Sequence, residues 1–390
     1  MITTSEALAL LFALTAPMPV EEILLRHANG RVLARDVSAE RTQPPFAASS
    51  MDGYAVRRAE VEPDAMFKVI GEAAAGHRFE GALRAGQAVR IFTGAPVPDG
   101  ADFVVIQEDT TRRGDLITLG HSIREKNNIR PAGGDFTVGD SLSAPRRLVP
   151  ADIALLAAMN IARVPVYRRP LVAILATGDE LVQPGEAPGP DQIIASNTYG
   201  LAAMLEDLGA QPRLMPIARD TEASLRRSFE LARGADLIIT IGGASVGDHD
   251  LVGPVAAAMG MEQAFYKVAM RPGKPLMAGR LEGAAMVGLP GNPVSAMVCG
   301  VIFVAPMIRA MLGLGQHAAP RRRLPLAADI PANGPREHYM RAVVEDGSVT
   351  AETRQDSALL SVLARANALL IRPPNDPVQA AGSMVEITDL

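Results

Sequence analysis

Residues 235–243 read ADLIITIGG, and this stretch decides the fold. An unbroken run of apolar and β-branched residues is typical of a strand that is buried on both faces of a parallel sheet. The two glycines at its end mark a turn. Similar runs lie on either side, namely LVAILATG at 171–178 and AAMVGLPG at 284–291.

Segments with helical spacing separate these strands. SNTYGLAAMLEDLG follows the first strand, with Ser196 or Asn197 as its cap, and DTEASLRRSFELARG precedes the second, with Asp220 or Thr221 as its cap. Another helix begins at Pro293. Buried strands that alternate with helices predict a mostly parallel αβα sheet with helices on both faces.

The rest of the chain has a different texture and predicts a multidomain α/β protein. Short apolar runs cut by glycine and proline indicate an inserted β-rich domain, which interrupts a helical or mixed linker domain. Strand-like patterns return after RRRLP and indicate a C-terminal β domain. The predicted bounds are 1–44 with 142–168 for the linker domain, 45–141 for the β-rich domain, 169–318 for the sheet domain and 319–390 for the C-terminal domain.

Composition excludes several classes of protein. The chain has 390 residues, of which 48% are hydrophobic, and a net charge of −5, so nucleic-acid binding is not expected. The single cysteine, Cys299, excludes an internal disulfide framework and every CxxC metal site. Ser5–Leu14 is predicted as a helix capped by Ser5 rather than an export signal. Val294–Ile308 is too short to span a membrane, so we expect a buried helix in a cytoplasmic protein.

The functional residues are expected beyond the carboxyl ends of the parallel strands, where open α/β sheets bind their ligands. Glycines, acids or both occur at every predicted strand end. The four stretches are ATGDE (176–180), ARD (218–220), IGGASVGDHD (241–250) and GLPGNP (288–293).

Glycines at these ends allow two interpretations. Gly242 and Gly243 form either a cradle of free N–H groups for an anion or a tight turn that needs positive φ. GLPGNP is either a capped turn, with Asn292 as the cap, or an anion site at the amino end of the following helix. Neither stretch is a Walker loop, and no GxGxxG occurs, so a P-loop NTPase or an NAD enzyme is disfavoured.

Charged residues near the strand ends suggest a polyanion and a metal. Lys267, Arg271 and Lys274 lie on one segment, YKVAMRPGKP, whose prolines stiffen it, and they present three cations to one polyanion or form a solvated loop. Carboxylates beside phosphate-binding glycines usually hold Mg²⁺. The candidates are Asp179, Glu180, Asp220, Asp248 and Asp250, of which Asp220 has a rival role as a helix cap and Asp179 as a turn residue.

Two stretches of the β-rich region also contain candidate functional residues. SSMDGYAV places Asp52 before a glycine, and RIFTGAPVPDGAD places Thr93 and Gly94 at a strand end. The ordinary interpretations are a DG turn and a hairpin turn. Physical reasoning alone does not connect these residues to the sheet.

The order MDGYA, FTGAPVP, ATGDEL, GGASVGDHD, RPGKP and GLPGNPVSA resembles the molybdopterin molybdenumtransferase family, bacterial MoeA, which is related to gephyrin. The resemblance covers nearly the whole chain and is weakest after about residue 320. It implies an enzyme that inserts molybdate into adenylylated molybdopterin and releases AMP. It also implies a cytoplasmic homodimer without nucleic-acid or membrane partners, a MogA-like sheet domain, and contacts with molybdopterin adenylyltransferase or molybdoenzyme maturation proteins.

The resemblance assigns roles to individual positions, with the active site between the sheet domain of one subunit and the β-rich domain of the other. The implied catalytic residues are Asp52, Thr93, Asp135, Glu180, Asp220 and Asp250. The implied binding residues are Gly242, Gly243, Ser245, Gly247, Lys267, Arg271, Lys274, Pro290, Gly291 and Asn292. The implied Mg²⁺ ligands are Glu180, Asp220 and Asp250.

The sequence departs from the family at two positions. Arg271 stands where some relatives have lysine, and Ser357 lies in QDSALLS where relatives often read GSH. Two alternative functions are an adenylyltransferase that acts on the pterin and a non-catalytic scaffold like gephyrin. The MDGYA-bearing domain argues against the first, and retention of the carboxylates argues against the second.

Overall fold

The computed structural model describes residues 1–123, 125–243 and 251–390. Its α-helices are α1 (Thr4–Ala13), α2 (Pro150–Ala158), α3 (Asn197–Asp207), α4 (Glu222–Leu231), α5 (Val252–Ala258), α6 (Pro293–Cys299), α7 (Ala305–Met311) and α8 (Leu360–Arg365). A π-helical segment, Gly300–Val304, joins α6 to α7, and short 3₁₀ turns lie at Leu25–His27, Arg58–Glu60 and Gln107–Asp109.

The first half of the chain carries the strands of the linker and β-rich regions. They are β1 (Val20–Leu24), β2 (Val32–Leu33), β3 (Val37–Ser38), β4 (Ala48–Ser49), β5 (Gly53–Val56), β6 (Met66–Ala73), β7 (Gln87–Ile91), β8 (Phe103–Ile106), β9 (Thr110–Arg113), β10 (Leu116–Leu119), β11 (Ile129–Arg130), β12 (Ser141–Leu142), β13 (Arg146–Arg147) and β14 (Arg163–Tyr167).

The second half carries the strands of the sheet domain and of the C-terminal region. They are β15 (Leu171–Ala176), β16 (Leu181–Val182), β17 (Ile193–Ile194), β18 (Gln211–Leu214), β19 (Leu237–Ile241), β20 (Glu262–Tyr266), β21 (Met270–Arg271), β22 (Met277–Leu281), β23 (Ala284–Leu289), β24 (Arg322–Pro325), β25 (Glu337–Glu345), β26 (Ser348–Ala351), β27 (Ala368–Arg372) and β28 (Met384–Asp389).

The predicted parallel sheet is confirmed. Its strand order is β18-β15-β19-β23-β22-β20. The first four strands run parallel, with Val172 opposite Leu237 and Ile241 opposite Leu289, and the last two pair antiparallel at one edge. Because these strands are parallel and in register, the carboxyl ends of β15, β19 and β23 lie at the same edge of the sheet.

Helices cover both faces of this sheet, as the buried runs predict. On one face Ile239 and Ile241 pack in a core with residues of α1, α3, α6 and α7. On the other face Ile238 packs with residues of α4 and α5. All five residues of β19 are buried, which explains why the strand is apolar throughout.

The structure corrects two helix caps. Helix α1 begins at Thr4 and its cap is Thr3, whose side chain accepts a bond from the Glu6 N–H, so Ser5 is not the cap. Thr221 caps α4 by accepting a bond from the Ser224 N–H, so Asp220 has no capping role. In both cases several adjacent polar residues were suitable, and the position of the first helical turn selects one of them.

The apolar segment after Pro293 is buried, as predicted, but the prediction that it is too short for a membrane span is wrong, because the helix extends to Met311. Among the described residues, the continuous helical stretch Pro293–Met311 has the length and the mean hydropathy, 1.9, of a membrane span. However, 83% of its most apolar window is buried inside the protein. Cys299 lies within it and is fully buried. This helix is thus part of the main core.

Besides the central sheet and several two-stranded ribbons, the described residues form three larger sheets. Strands β1, β14, β2 and β13 form one sheet, so the chain segments before and after the β-rich region pair with each other. The β-rich sheet has the order β8-β5-β7-β6-β10-β9. The C-terminal sheet has the order β21-β25-β27-β28-β24, and β21 comes from the segment that carries Arg271.

Candidate active site

A cavity of about 620 Å³ lies at the carboxyl ends of the parallel strands, where the sequence placed the site. Ala176, Ile241 and Pro290 mark the ends of three strands that open into it. The other lining residues are Glu180, Leu181, Ile193, Ile194, Ala195, Ser196, Asn197, Thr198, Gly242, Gly243, Pro275, Gly291, Asn292, Pro293 and Ala358. We call this space the strand-end cavity.

The glycines at the end of β19 are required by packing. Gly242 has φ of +91°, and an added Cβ would lie 2.9 Å from the Thr177 carbonyl oxygen. Gly243 has φ of +62°, and an added Cβ would overlap Cγ2 of Val252. The Gly242 N–H donates to the Leu289 carbonyl at 3.1 Å, so it is not free for an anion. The cradle interpretation is therefore wrong for the Gly242 N–H.

Glu180 is held at the wall of the cavity. Its backbone carbonyl accepts a 2.7 Å bond from the Ile193 N–H, which fixes the β16–β17 ribbon beside it. Its carboxylate lies so close to Gly178 that a Cβ there would overlap a carboxylate oxygen. Within the described ranges no cation pairs with Glu180. An exposed carboxylate without a partner suits a role as a ligand or as a base.

Asp220 follows a strand end that adjoins the one before Glu180. Thr177 and Ala218 form a parallel bridge, and the Asp220 N–H donates to Asp179 Oδ1 at 3.3 Å. The Asp179 carboxylate is thereby engaged with the backbone, in agreement with its prediction as a turn residue. The Asp220 side chain is exposed.

GLPGNP forms the far wall of the cavity. Asn197 Nδ2 donates to the Gly291 carbonyl at 2.8 Å. Asn292 occupies the cap position of α6, but its side chain makes no cap bond and donates instead to Ser357 Oγ at 3.1 Å. The Val294 N–H donates to the Ser357 carbonyl at 3.0 Å. A loop of the C-terminal region therefore bonds this helix end, which one interpretation had left to an anion and the other had left to the Asn292 side chain.

The cationic segment does not present all three side chains to the strand-end cavity. Pro275 lines that cavity, whereas Arg271 lines a second cavity of about 620 Å³ beside the C-terminal sheet. The cause is strand pairing, because Arg271 lies in β21 opposite His338 of β25. Lys267 Nζ lies 4.7 Å from the centre of the Tyr266 ring, and Lys274 is exposed.

The lining of the second cavity combines cationic side chains with anionic ones, the latter including Asp329 and Glu352. Arg271, His338 and Arg372 contribute to it, and Asp356 and Gln355 come from the loop that leads to Ala358. Burial, followed by the charges of Arg271 and of arginines 341, 372 and 336, lowers the pKa of His338 to about 4. His338 is therefore neutral at pH 7. The segment 271–275 and the loop 355–358 each contribute to both cavities.

Asp52 and Thr93 form a unit within the β-rich region. The Thr93 N–H and the Thr93 hydroxyl both donate to Asp52 Oδ1 at 2.8 Å. These bonds, and then the charge of Arg90, lower the pKa of Asp52 below its usual range. The expected DG turn is wrong, since Gly53 is the first residue of β5 and a Cβ there would overlap the Val105 carbonyl oxygen.

Several predicted residues are not brought to the strand-end cavity of the single chain. Among the described residues, none from the β-rich region lines it, so Asp52, Thr93 and Asp135 lie elsewhere on the subunit. Asp135 is exposed, and its N–H donates to the Gln43 carbonyl at 3.0 Å. Ser245, Gly247, Asp248 and Asp250 lie outside the described residues.

Sequence reasoning missed part of the cavity wall. Ile193 and Ile194, which are 59% and 39% exposed, supply an apolar wall. Asn197 was considered only as a helix cap, and Ala358 was not considered. Two adjacent isoleucines before a predicted helix cap, in PDQIIASN, were the available signal for this wall.

Comparisons with known proteins agree with this geometry. The model of the MoeA N-terminal region (domain I and II) matches residues 2–160, and the model of the probable molybdopterin binding domain matches residues 173–310. The model of the MoeA C-terminal region (domain IV) matches residues 323–390. A crystal structure of the molybdopterin biosynthesis MoeA protein from Pyrococcus horikoshii superposes with a TM-score of 0.84 at 28% identity, covering 100% of this chain and 99% of that one.

Two relatives in sequence carry the same name. A molybdopterin molybdenumtransferase of Nostoc sp. is 36% identical over 97% of this chain and 90% of its own length. One from Haemophilus influenzae is 34% identical over 99% of this chain and 98% of its own length.

The fold and the strand-end cavity define a multidomain α/β protein whose sheet domain matches the model of the probable molybdopterin binding domain. Full-length agreement in sequence and structure then decides the family. The chain belongs to the MoeA family of molybdopterin molybdenumtransferases, and it is a transferase.

Proposed function

We propose that this transferase inserts molybdate into adenylylated molybdopterin and releases AMP. The observation that carries the proposal is the strand-end cavity, whose wall combines an apolar ribbon at Ile193 and Ile194 with the carboxylate of Glu180, which pairs with no cation among the described residues. An apolar wall suits a pterin ring, and polar groups at the strand ends suit its nucleotide. The cavity and its neighbour together offer room for an organic nucleotide and for an oxyanion beside it.

Cations near the boundary of the two cavities suit molybdate. Arg271 lines the second cavity and makes no ion pair within the described part of the chain. Lys274 immediately precedes Pro275 of the strand-end cavity. A doubly charged oxyanion held near the adenylylated pterin would need such positive charge to offset the repulsion between the two anions.

Mg²⁺ is proposed as the metal of the site. The donor chemistry fits, because Glu180 and Asp220 follow neighbouring strand ends and offer carboxylate oxygens. In residues 1–123, 125–243 and 251–390 no group of three possible metal ligands is formed, and the proposed third ligand, Asp250, lies outside these ranges. Bound Mg²⁺ would supply charge stabilisation to a leaving phosphate.

A second copy of the chain is proposed to complete the site. Asp52 is aligned by Thr93 and is kept anionic, yet it lies away from the strand-end cavity of its own subunit. In a homodimer the β-rich region of one subunit would place this carboxylate opposite Glu180 of the other. We also propose that the dimer acts in the cytoplasm and exchanges its pterin with adenylyltransferase and maturation proteins.

Turnover measurements test the function. Purified protein is mixed with adenylylated molybdopterin, molybdate and Mg²⁺, and AMP release and reconstitution of an apo-molybdoenzyme are followed. Glu180→Gln and Asp52→Ala are expected to lose at least about tenfold in rate, as removal of acid–base or ligand groups typically does. Glu206→Gln, on the exposed face of α3, is the control and keeps full activity.

The outcomes separate the proposal from its competitors. Consumption of ATP with unmodified molybdopterin would identify an adenylyltransferase instead. Absence of turnover with either substrate, in a protein that still binds molybdopterin, would identify a scaffold. Full activity of Glu180→Gln would show that the strand-end cavity, as assigned through Glu180, is not the site of the reaction.

A further inference from the structure

The backbone of Lys267 adopts a conformation that its neighbours must maintain. Lys267 has φ of +68°, which a residue with a side chain rarely adopts because the Cβ then crowds the backbone. Its N–H donates to the Leu276 carbonyl at 2.8 Å, and its carbonyl accepts the Ile2 N–H at 3.3 Å. Residues at the start of the chain therefore supply one of the two backbone bonds that fix Lys267.

Ile2 also forms backbone contacts with the next two residues of the cationic segment. Ile2 and Val268 form a parallel bridge, and the Ala269 N–H donates to the Ile2 carbonyl at 2.8 Å. Val268 is fully buried, so this contact is part of the core. Residue 2 thus acts on the segment from two sides, through its N–H and through its carbonyl.

A strand of the C-terminal region holds the opposite side of the segment. The Glu337 N–H donates to the Ala269 carbonyl at 3.1 Å, and Met270 pairs with Glu337 in a parallel register. The Thr4 hydroxyl donates to the Glu337 carboxylate. Three segments distant in sequence, namely 2–4, 267–271 and 337–338, are therefore bonded to one another at a single junction.

We propose that Ile2 and Thr4 are positioning residues for anion binding, because they hold the backbone that carries Lys267 and Arg271. The inference rests on the proposed function, in which cations of this segment bind an oxyanion, and it extends that role to Lys267. Lys267 belongs to the sheet domain, whereas Ile2, which supplies one of its two backbone bonds, comes from the segment before α1. A substitution at residue 2 should therefore change the affinity for the anion although residue 2 does not contact the anion.

The test compares a variant that removes the backbone N–H of residue 2 with a control variant that only shortens its side chain. Ile2→Pro removes the N–H that bonds Lys267, whereas Ile2→Ala keeps the N–H and removes more of the side chain. All proteins carry the same Gly-Ser extension before Met1, which is 71% exposed, so that Met1 is retained. Binding of molybdate alone and of AMP alone is measured by calorimetry, and unfolding temperatures are measured in parallel.

The expected result is a specific loss of affinity. Lys267→Ala identifies which probe depends on Lys267, and Ile2→Pro should weaken that probe about fivefold, the equivalent of one backbone hydrogen bond. Ile2→Ala should remain within about twofold of the wild type. The affinity for the other probe should be unchanged in Ile2→Pro.

A second pair keeps the proposal testable if Ile2→Pro does not fold. Thr4→Val removes the hydroxyl bond to Glu337 at nearly constant volume, and Thr4→Ser restores the hydroxyl. Weaker anion binding in Thr4→Val with recovery in Thr4→Ser supports the proposal.

Equal affinity of Ile2→Pro and Ile2→Ala for the Lys267-dependent probe would overturn the positioning role alone. If Lys267→Ala weakens neither probe, the assignment of Lys267 as an anion ligand falls, and the inference falls with it. The two failures are thereby distinguishable.

Discussion

Replacement of Gly243 by alanine tests the packing of the strand end directly. Gly243 has φ of +62°, and its added Cβ would lie 3.1 Å from the Val252 Cβ and 3.2 Å from Thr177 Oγ1, besides overlapping the Val252 methyl. Gly114 has nearly the same φ, +60°, and open space around the position of a Cβ. The pair therefore separates the cost of the backbone conformation from the cost of the contact.

The expected magnitudes follow from these two terms. Gly114→Ala should cost about 1 kcal/mol, since left-handed strain is partly offset by the lower entropy of the unfolded chain. Gly243→Ala carries in addition an overpacking cost of about 1–3 kcal/mol against Val252, which is 1% exposed and has little freedom to move. The total for Gly243→Ala is about 2–4 kcal/mol.

Differential scanning calorimetry provides the assay. The decrease for Gly243→Ala is measured on the transition of the sheet domain and the decrease for Gly114→Ala on that of the β-rich domain, and both are converted to free energies of unfolding before they are compared. A difference of about 1–3 kcal/mol corresponds to a further decrease of about 3–10 °C in the unfolding temperature for a domain of this size. Equal decreases in the free energy of unfolding for Gly114→Ala and Gly243→Ala would refute the reasoning. In that case φ alone, and not the approach of Val252, would explain the glycine.

The remaining predictions concern protonation and the buried thiol. Thr93→Val removes one bond that lowers the pKa of Asp52, so the acidic limb of the pH–rate profile should move to higher pH, whereas Thr93→Ser should leave it in place; an unmoved limb in Thr93→Val would contradict the pairing. His338 has a folded pKa of about 4, below its unfolded value, so the wild type should lose up to about 3 kcal/mol as the pH falls from about 6.5 to 4, and His338→Gln should lose less over that window in denaturant titrations. An identical pH dependence of the two proteins would show that His338 does not titrate in this way. Burial raises the pKa of the Cys299 thiol, so a thiol reagent should react only after unfolding and Cys299→Ala should keep turnover; a covalent protein–AMP adduct, or loss of turnover in a folded Cys299→Ala, would show that the thiol takes part.

The sequence was sufficient for the central sheet and for the position of its cavity. Strands such as β19 are apolar throughout because both faces are covered, and that pattern is legible in a single chain. Glycines and acids after each strand indicated the functional edge of the sheet. These signals are local in sequence, since each strand is followed directly by its own glycines or acids.

The parts that sequence reasoning missed depend on contacts between distant segments. Asn292 bonds Ser357 across 65 residues, and no local pattern announces this partner. Arg271 is directed to the second cavity by its pairing with β25, which competes with the expectation that three nearby cations face one ligand. The Gly242 N–H, which one of the two interpretations left free for an anion, donates to Leu289 of the neighbouring strand.

The central claim is that strand ends of one subunit and the Asp52 lobe of a second subunit form one active site. It is tested most directly by mixing two inactive variants, Glu180→Gln and Asp52→Ala, under conditions that exchange subunits. Random exchange gives half mixed dimers, each with one site that retains both carboxylates, so about a quarter of the wild-type turnover should return. If the mixture stays as inactive as its two components while mixed dimers form, the two carboxylates do not meet across subunits and the account is contradicted.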